Sequence, residues 1–461
     1  MTKFIDRDSE LATLQKEYGR TDSSFVVIYG RRRVGKTALI NEFCRHKKAL
    51  LFLATEENER ENRETFKNNV AEFCNDELLM ASRIEKWEPV FDVLVKYSRE
   101  NKEKVIVVMD EFQYLGKANK AFPSIMMGIW DRKLKDSNIM LIVCGSLINM
   151  MTSQVLNYDS PLYGRRTAQM RIGQIPFSFY HEFYPELSED DCILRYAVTG
   201  GVPKYIELFH DNVDIYQAIR ENVVSRNAFL YAEPEFLLQK EVSEIGSYFS
   251  LLKTMAAGNH KLGKIASVME TPQTSLTKYL KVLSELDIIE REVPITEENP
   301  EKSKKGLYDI KDKFIKFWFR FIYPYRGMLE AGQEEYVMEK IKSTFIENHV
   351  SYIYEDICRE KVWDFNGRRM EFNRVGRWWD GNNVEIDIVA YNSMGTDILF
   401  GECKYSVNKK GLEVLHQLKQ KAQAVPWNRD DRKEKYVIFS RSGFTDELVE
   451  YAAGNDEVWL V

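Results

Sequence analysis

The 461-residue sequence predicts an α/β fold: a parallel sheet in the first third, a helical middle, and a second strand-rich α/β segment at the end. Three observations carry that expectation. Continuous apolar runs at residues 25–28, 105–109 and 139–144 have the length of strands covered on both faces. Helical spacing fills the intervals between them. From residue 384 onward the spacing changes to alternation, which puts neighbours on opposite faces of a strand.

Composition limits what the chain can be. Hydrophobic residues make up 44% and aromatic residues 13%, ample for several cores. The length suggests about three domains at roughly 150 residues each. A net charge of −6 excludes a globally basic nucleic-acid coat, so any such contact must be local. The six cysteines (Cys44, Cys74, Cys144, Cys192, Cys358, Cys403) form no C-x-x-C pair. That argues against zinc and against a disulfide scaffold, and fits a reducing cytoplasm. Residues 1–8 are charged and lack an apolar secretory core. No apolar run approaches the roughly 20 residues of a membrane span. A cytoplasmic chain without membrane contact is expected.

The first apolar run leads into residues 30–37, Gly-Arg-Arg-Arg-Val-Gly-Lys-Thr, which match G-x-x-x-x-G-K-T. Strand, glycine loop and helix are the context of a phosphate-binding loop. Gly30 and Gly35 let the backbone curl around one anion, and the helix start adds partial positive charge there. Lys36 would reach the β- and γ-phosphates, and the Thr37 hydroxyl would ligate Mg²⁺. The nucleotide contacts are expected from Gly30, Arg31, Arg32, Arg33, Val34, Gly35, Lys36, Thr37 and Ala38.

Residues 49–54 read as a second strand, and a long helical region runs to about Arg99. The run 105–109 ends in Asp110-Glu111, a Walker B pattern. Asp110 would hold the Mg²⁺ shell and Glu111 would polarise the attacking water. The run 139–144 ends near Ser146, where related ATPases place a polar side chain beside the γ-phosphate. Arg165 and Arg166 follow in a loop, where either could neutralise charge on the transferring phosphoryl group or simply face solvent. Residues 171–175 are expected to be the fifth strand. From Pro176 the pattern turns helical, broken at residues 199–205, Thr-Gly-Gly-Val-Pro-Lys-Tyr, by a bend able to bring a helix start to the nucleotide.

The phosphate loop, Asp-Glu-Phe-Gln, Ser-Pro-Leu-Tyr-Gly-Arg and Gly-Gly-Val-Pro-Lys-Tyr occur in this order. Together they resemble the archaeal-type P-loop ATPases, an AAA-like group close to the signal-transduction ATPases. The resemblance covers roughly residues 1–325. It implies an ATP-binding core at 1–175, a helical lid at 176–235, a winged helix-turn-helix at 236–325, and a domain similar to PD-(D/E)XK nucleases, with a restriction-endonuclease-like fold, at 326–461. Residues 4–11 resemble the box that packs near the adenine in such ATPases. A plain helix start capped by Asp8 or Ser9 reads equally well.

The winged helix has its own support. Thr271-Pro272 reads as a cap followed by proline at the first helical position. Leu276, Tyr279, Leu280 and Leu283 make the buried face of the next helix, leaving Gln273, Thr274, Thr277, Lys278 and Lys281 outward. A wing with Lys302, Lys304 and Lys305 follows, and DNA contact through the major groove is one reading. The aromatic stretch 314–325 reads as a packing helix.

In the last third Glu385 and Asp387 share one face of a strand, and Glu402 and Lys404 share one face of the next. By resemblance to the PD-(D/E)XK nucleases, Asp387 and Glu402 would bind Mg²⁺ and Lys404 would orient the water. Glu355 matches the first acidic position of that family and Gln417 a later polar one. Arg368, Arg369, Arg374 and Arg377, interleaved with Trp378 and Trp379, read as a rim for phosphate.

Three functions stay open from the sequence. The expected one is a Mg²⁺-dependent, ATP-hydrolysing switch acting on DNA. The others are an ATP-regulated, metal-dependent DNA nuclease and a non-catalytic nucleotide-binding scaffold. The sequence leaves the oligomeric state open.

Overall fold

The first sheet follows from five segments whose side chains leave little polar surface for water. The computed structural model describes residues 4–101, 103–242, 244–381 and 384–461. Residues 1–3, part of the N-terminal stretch read above, lie outside the described residues. The strands are β1 (Ser24–Tyr29), β2 (Ala49–Leu53), β3 (Val105–Asp110), β4 (Ile139–Gly145) and β5 (Ala168–Arg171). They pair in parallel in the order β2-β3-β4-β1-β5. Alternate residues feed two cores. Val26, Ile28, Ile106, Val108 and Ile142 pack with Leu39, Ile40 and Phe43 on one face. Phe25, Val27, Val105, Val107 and Leu141 pack with Phe66, Trp87 and Phe91 on the other.

Two expectations shift here. The long helical region divides into Glu59–Cys74, Glu77–Ala81 and Glu88–Glu100, because Asn75 ends the first helix in a left-handed conformation and a proline opens the third. The fifth strand lies at Ala168–Arg171 rather than 171–175. Its partner β1 stops at Tyr29, and Gly173 gives its carbonyl to Arg7 instead.

The chain divides into two compact units: Met1–Ile175 with Val202–Lys204 and Leu237–Ser243, and the remainder. In the second unit the helices Ile245–Ala256, Leu262–Val268 and Gln273–Glu285 are followed by an antiparallel hairpin, β6 (Ile289–Glu292) and β7 (Leu307–Ile310). Leu276, Leu280 and Leu283 are buried, and Gln273, Thr274 and Thr277 are exposed. The helix start departs from expectation: Pro272 is the cap residue itself, and the Thr271 hydroxyl donates to the Met269 carbonyl. The aromatic helix Lys313–Phe321 buries Phe314, Phe317, Trp318, Phe319 and Phe321, and the Trp318 indole donates to the Tyr231 carbonyl at 2.7 Å.

The last sheet contains β8 (Arg374–Trp379), β9 (Glu385–Tyr391), β10 (Asp397–Lys404), β11 (Lys433–Ser440) and β12 (Val458–Leu460), in the order β12-β11-β10-β9-β8. β8–β9 and β9–β10 are antiparallel, while β10–β11 and β11–β12 are parallel. The helix Leu412–Ala422 buries Leu415 and Leu418 in the core of this sheet, beside Ile386, Phe400 and Ile438. The loop after β6 is bound to β8 and β9. The Ile295 amide donates to the Arg377 carbonyl at 2.9 Å, the Tyr391 hydroxyl donates to the Ile295 carbonyl at 3.0 Å, and Arg377 pairs with Glu292 at 3.0 Å. The start of the β6–β7 loop is thereby held by protein.

Candidate active site

The phosphate loop begins where β1 ends. A Cβ on Gly30 would lie 2.3 Å from the Ile172 carbonyl oxygen, so only glycine fits. Gly35, at φ 95°, is the cap residue of the helix Lys36–Cys44. Between them Arg33 takes a left-handed φ of 69°, uncommon outside glycine. Val34 is buried, while Thr37 and Ala38 are exposed at the helix start. The Lys36 ammonium donates to the carbonyls of Gly30 and Arg31, both at 2.8 Å. Burial lowers its pKa, opposed by the nearby Cys144, Glu111 and Asp110.

The end of β3 meets the loop directly. The Thr37 hydroxyl donates to Asp110 Oδ2 at 3.0 Å, and Asp110 Oδ1 accepts the Glu111 amide at 2.8 Å. Two adjacent hard oxygens suit Mg²⁺, which keeps water and phosphate oxygens for the rest of its octahedron. Glu111 has a φ of 52°, a left-handed conformation at a non-glycine residue. Its carboxylate accepts from Ser146 Oγ at 2.8 and 3.0 Å and from the Gln113 amide.

Other expectations resolve differently. Arg165 pairs with Asp131 at 3.0 Å, and Arg166 lies over the Tyr163 ring at 5.1 Å. Arg32 donates to the Tyr114 hydroxyl at 2.9 Å. The helix Asp8–Tyr18 follows Arg7 without any side-chain cap, so the Asp8 or Ser9 cap is not formed. Arg7 instead donates to the Gly173 carbonyl at 2.6 Å and the Val34 carbonyl at 3.4 Å, bracing the phosphate loop from behind. The bend at 199–205 places Pro203 Cγ 3.9 Å from a Cβ built on Gly35.

A family model described as an ATPase domain predominantly from Archaea matches residues 4–209. A second, for archaeal and bacterial proteins of unknown function, matches residues 318–415. The uncharacterized protein MJECL04 of Methanocaldococcus jannaschii is 33% identical over 443 residues, covering 95% of each chain. The chain belongs to the archaeal-type P-loop ATPase family. An uncharacterized ATP-binding protein of the same organism, MJ0423, is 42% identical over 45 residues, 10% of this chain and 76% of that one. The Walker-type ATPase Paby2304 of Pyrococcus abyssi shares the fold, with a TM-score of 0.52 and 19% identity over 69% of this chain and 96% of that one.

This archaeal-type ATPase therefore carries an ATPase domain, and ATP is the ligand the family implies. No described helix is long and apolar enough to cross a membrane. The ATPase also gathers the acidic residues of its last third. Asp387 accepts the Cys403 amide at 2.9 Å, and Glu402 pairs with Lys404 at 2.6 Å and Lys421 at 2.9 Å. Burial first, and then the neighbouring carboxylates, push Glu355 up to about 8 and Asp387 up to about 6. Among the described residues no three His, Cys, Asp or Glu side chains converge to hold a metal ion. Gln417 is exposed, and Lys421, one helical turn on, reaches Glu402. Of the expected rim, Arg377 is held by Glu292 and Glu385, and Arg369 lies over Trp459 at 5.3 Å.

Three contacts escaped sequence reasoning: Gln113, Arg7 and Lys421. Gln113 lies two residues past Glu111 within Asp-Glu-Phe-Gln, so its place was open to inspection.

The raised Glu355 pKa has a testable sign. A carboxyl that holds its proton more tightly when folded stabilises the fold below its unfolded pKa, and loses that contribution as pH rises through the folded value. Glu355→Gln is therefore expected to raise the melting temperature at pH 9 by a few degrees and to change it little at pH 4, read by calorimetry. A variant less stable at pH 9 than at pH 4, relative to wild type, would contradict the assignment.

Proposed function

We propose that the chain is a Mg²⁺-dependent ATPase that works as a nucleotide-controlled switch acting on DNA. The observation that carries the hydrolytic part is the junction of the two motifs: Thr37 on Asp110, and Ser146 on Glu111, beside the buried Lys36. The loop amides and Lys36 bind and orient the triphosphate. Asp110 and Thr37 would hold Mg²⁺, whose chemistry is to neutralise charge on the phosphates. Glu111, held by Ser146 and Gln113, accepts the proton of the attacking water. Calorimetric titration of the purified chain with MgATP, together with phosphate release, tests this reading. No affinity for ATP or ADP would end it.

The DNA side rests on the helix Gln273–Glu285. It leaves Gln273, Thr274 and Thr277 exposed, and its cations sit in open pairs, Lys278 with Glu244 at 3.7 Å and Lys281 with Glu285 at 3.8 Å. Exposed pairs of this kind are weak and yield readily to phosphate.

A second reading, an ATP-regulated nuclease, is favoured by the grouping of Glu355, Asp387, Glu402 and Lys404. Repulsion between buried carboxylates is the state a divalent cation relieves. The helix, three antiparallel strands, helix and parallel strand of residues 351–440 support the same reading. Metal-dependent nicking of plasmid by wild type and its loss in Asp387→Ala are the expected results. Intact plasmid with both proteins leaves the switch alone.

A further inference from the structure

The segment Pro176–Gly201 is an excursion of the chain. The backbone leaves the first compact unit after Ile175 and returns to it at Val202, and the residues between belong to the second unit. Each end of the excursion adjoins a contact of the phosphate loop. Before it, the Gly173 carbonyl accepts from Arg7 at 2.6 Å, and the same Arg7 nitrogen donates to the Val34 carbonyl at 3.4 Å. After it, Pro203 Cγ stands 3.9 Å from a Cβ built on Gly35. Within the second unit the segment is first braced on itself. The Tyr180 hydroxyl and Thr199 Oγ1 share a buried hydrogen bond of 2.8 Å, which ties the short helix Phe177–Glu182 to the helix Glu189–Thr199.

Side chains from the last third then hold both pieces. Glu360 accepts the amides of Phe177 at 3.3 Å and Ser178 at 3.0 Å. The buried His349 donates through Nε2 to the Ala197 carbonyl at 2.7 Å. Asp190 accepts from the Tyr405 hydroxyl at 2.5 Å and pairs with Arg441 at 2.6 Å. Lys361 pairs with Glu189. Glu360 and Lys361 sit on the helix Ser351–Val362, which also carries Glu355 and whose Arg359 donates to the Asp387 carbonyl at 3.1 Å. Interlocked bonds between packed elements pass a restraint on one element to the next.

We propose that Pro176–Gly201 transmits nucleotide occupancy of the phosphate loop to the helix Ser351–Val362 and its acidic residues. This rests on the reading that the triphosphate sits at residues 30–37. A nucleotide that orders Val34 and Gly35 restrains both ends of the segment at once, through Arg7 and Pro203. Local opening of the segment then becomes rarer, and the protection passes through Glu360 and His349.

The test is hydrogen exchange of the full chain with and without saturating MgATP, with binding measured by calorimetry alongside. In wild type, MgATP is expected to slow exchange of amides 177–178 and 351–362 about fivefold or more, a typical size for coupling between sites. Glu360→Ala combined with Asp190→Asn should still bind MgATP and gain protection at residues 36–44, yet lose most of the gain at 351–362. Glu360→Gln alone keeps an acceptor for the two amides and should retain part of it. A wild type that binds MgATP without slowing at 351–362 would overturn the proposal. So would a double variant that slows there as much as wild type does. A wild type that fails to bind MgATP would instead end the phosphate-loop reading, a different result from binding without transmission.

Discussion

Lys36→Ala is expected to weaken ATP binding severely and to take turnover down with it. The ammonium is buried beside the loop it braces, and burial has already cost it hydration. Removing it would leave the incoming phosphate charge without its nearest cation in a site of low effective dielectric. Truncating one partner of a buried, hydrogen-bonded charge pair costs about 2–5 kcal/mol, so an affinity loss of about 30- to 4,000-fold follows. The same change strips a donor from the Gly30 and Arg31 carbonyls, so the melting temperature must be measured alongside. A folded Lys36→Ala protein that still binds MgATP with wild-type affinity would remove this lysine from the site.

Glu111→Gln is expected to behave in the opposite manner, retaining ATP and losing hydrolysis. Glutamine is nearly isosteric and can still accept the Ser146 hydroxyl, so the left-handed turn at this position keeps its anchor. What it loses is basicity. General-base contributions of about 10²–10⁴-fold set the expected drop in turnover, read as phosphate release at saturating MgATP. Unchanged turnover in Glu111→Gln would remove Glu111 as the base. Together the two variants separate binding from chemistry.

The phosphate loop was legible because its information is local. Glycines at fixed spacing, a lysine and a threonine act through backbone geometry within eight residues, and the flanking strand and helix patterns confirm the context. The acidic strand ends were legible for the same reason, since alternation alone puts Glu385 with Asp387 and Glu402 with Lys404 on shared faces. Arg165 and Arg166 read from sequence either as charge-neutralising groups or as a solvated basic loop, because a cation's partner depends on which surface its loop meets. Here that surface supplies Asp131 and Tyr163. The β6–β7 loop shows the same limit, since Ile295 near its start hydrogen-bonds to Arg377 and Tyr391 on strands far later in the chain.

From the sequence alone came the α/β class, the phosphate loop with its Asp-Glu strand end, and membership expectations that the family comparisons bear out for the ATPase domain. Only the tertiary structure decided which side chains Glu111, Glu402 and Arg377 hold. The reason is physical. Period and motif are written within one or two turns of chain, whereas a buried charge is governed by whatever the fold brings within a few ångströms, from any distance in sequence.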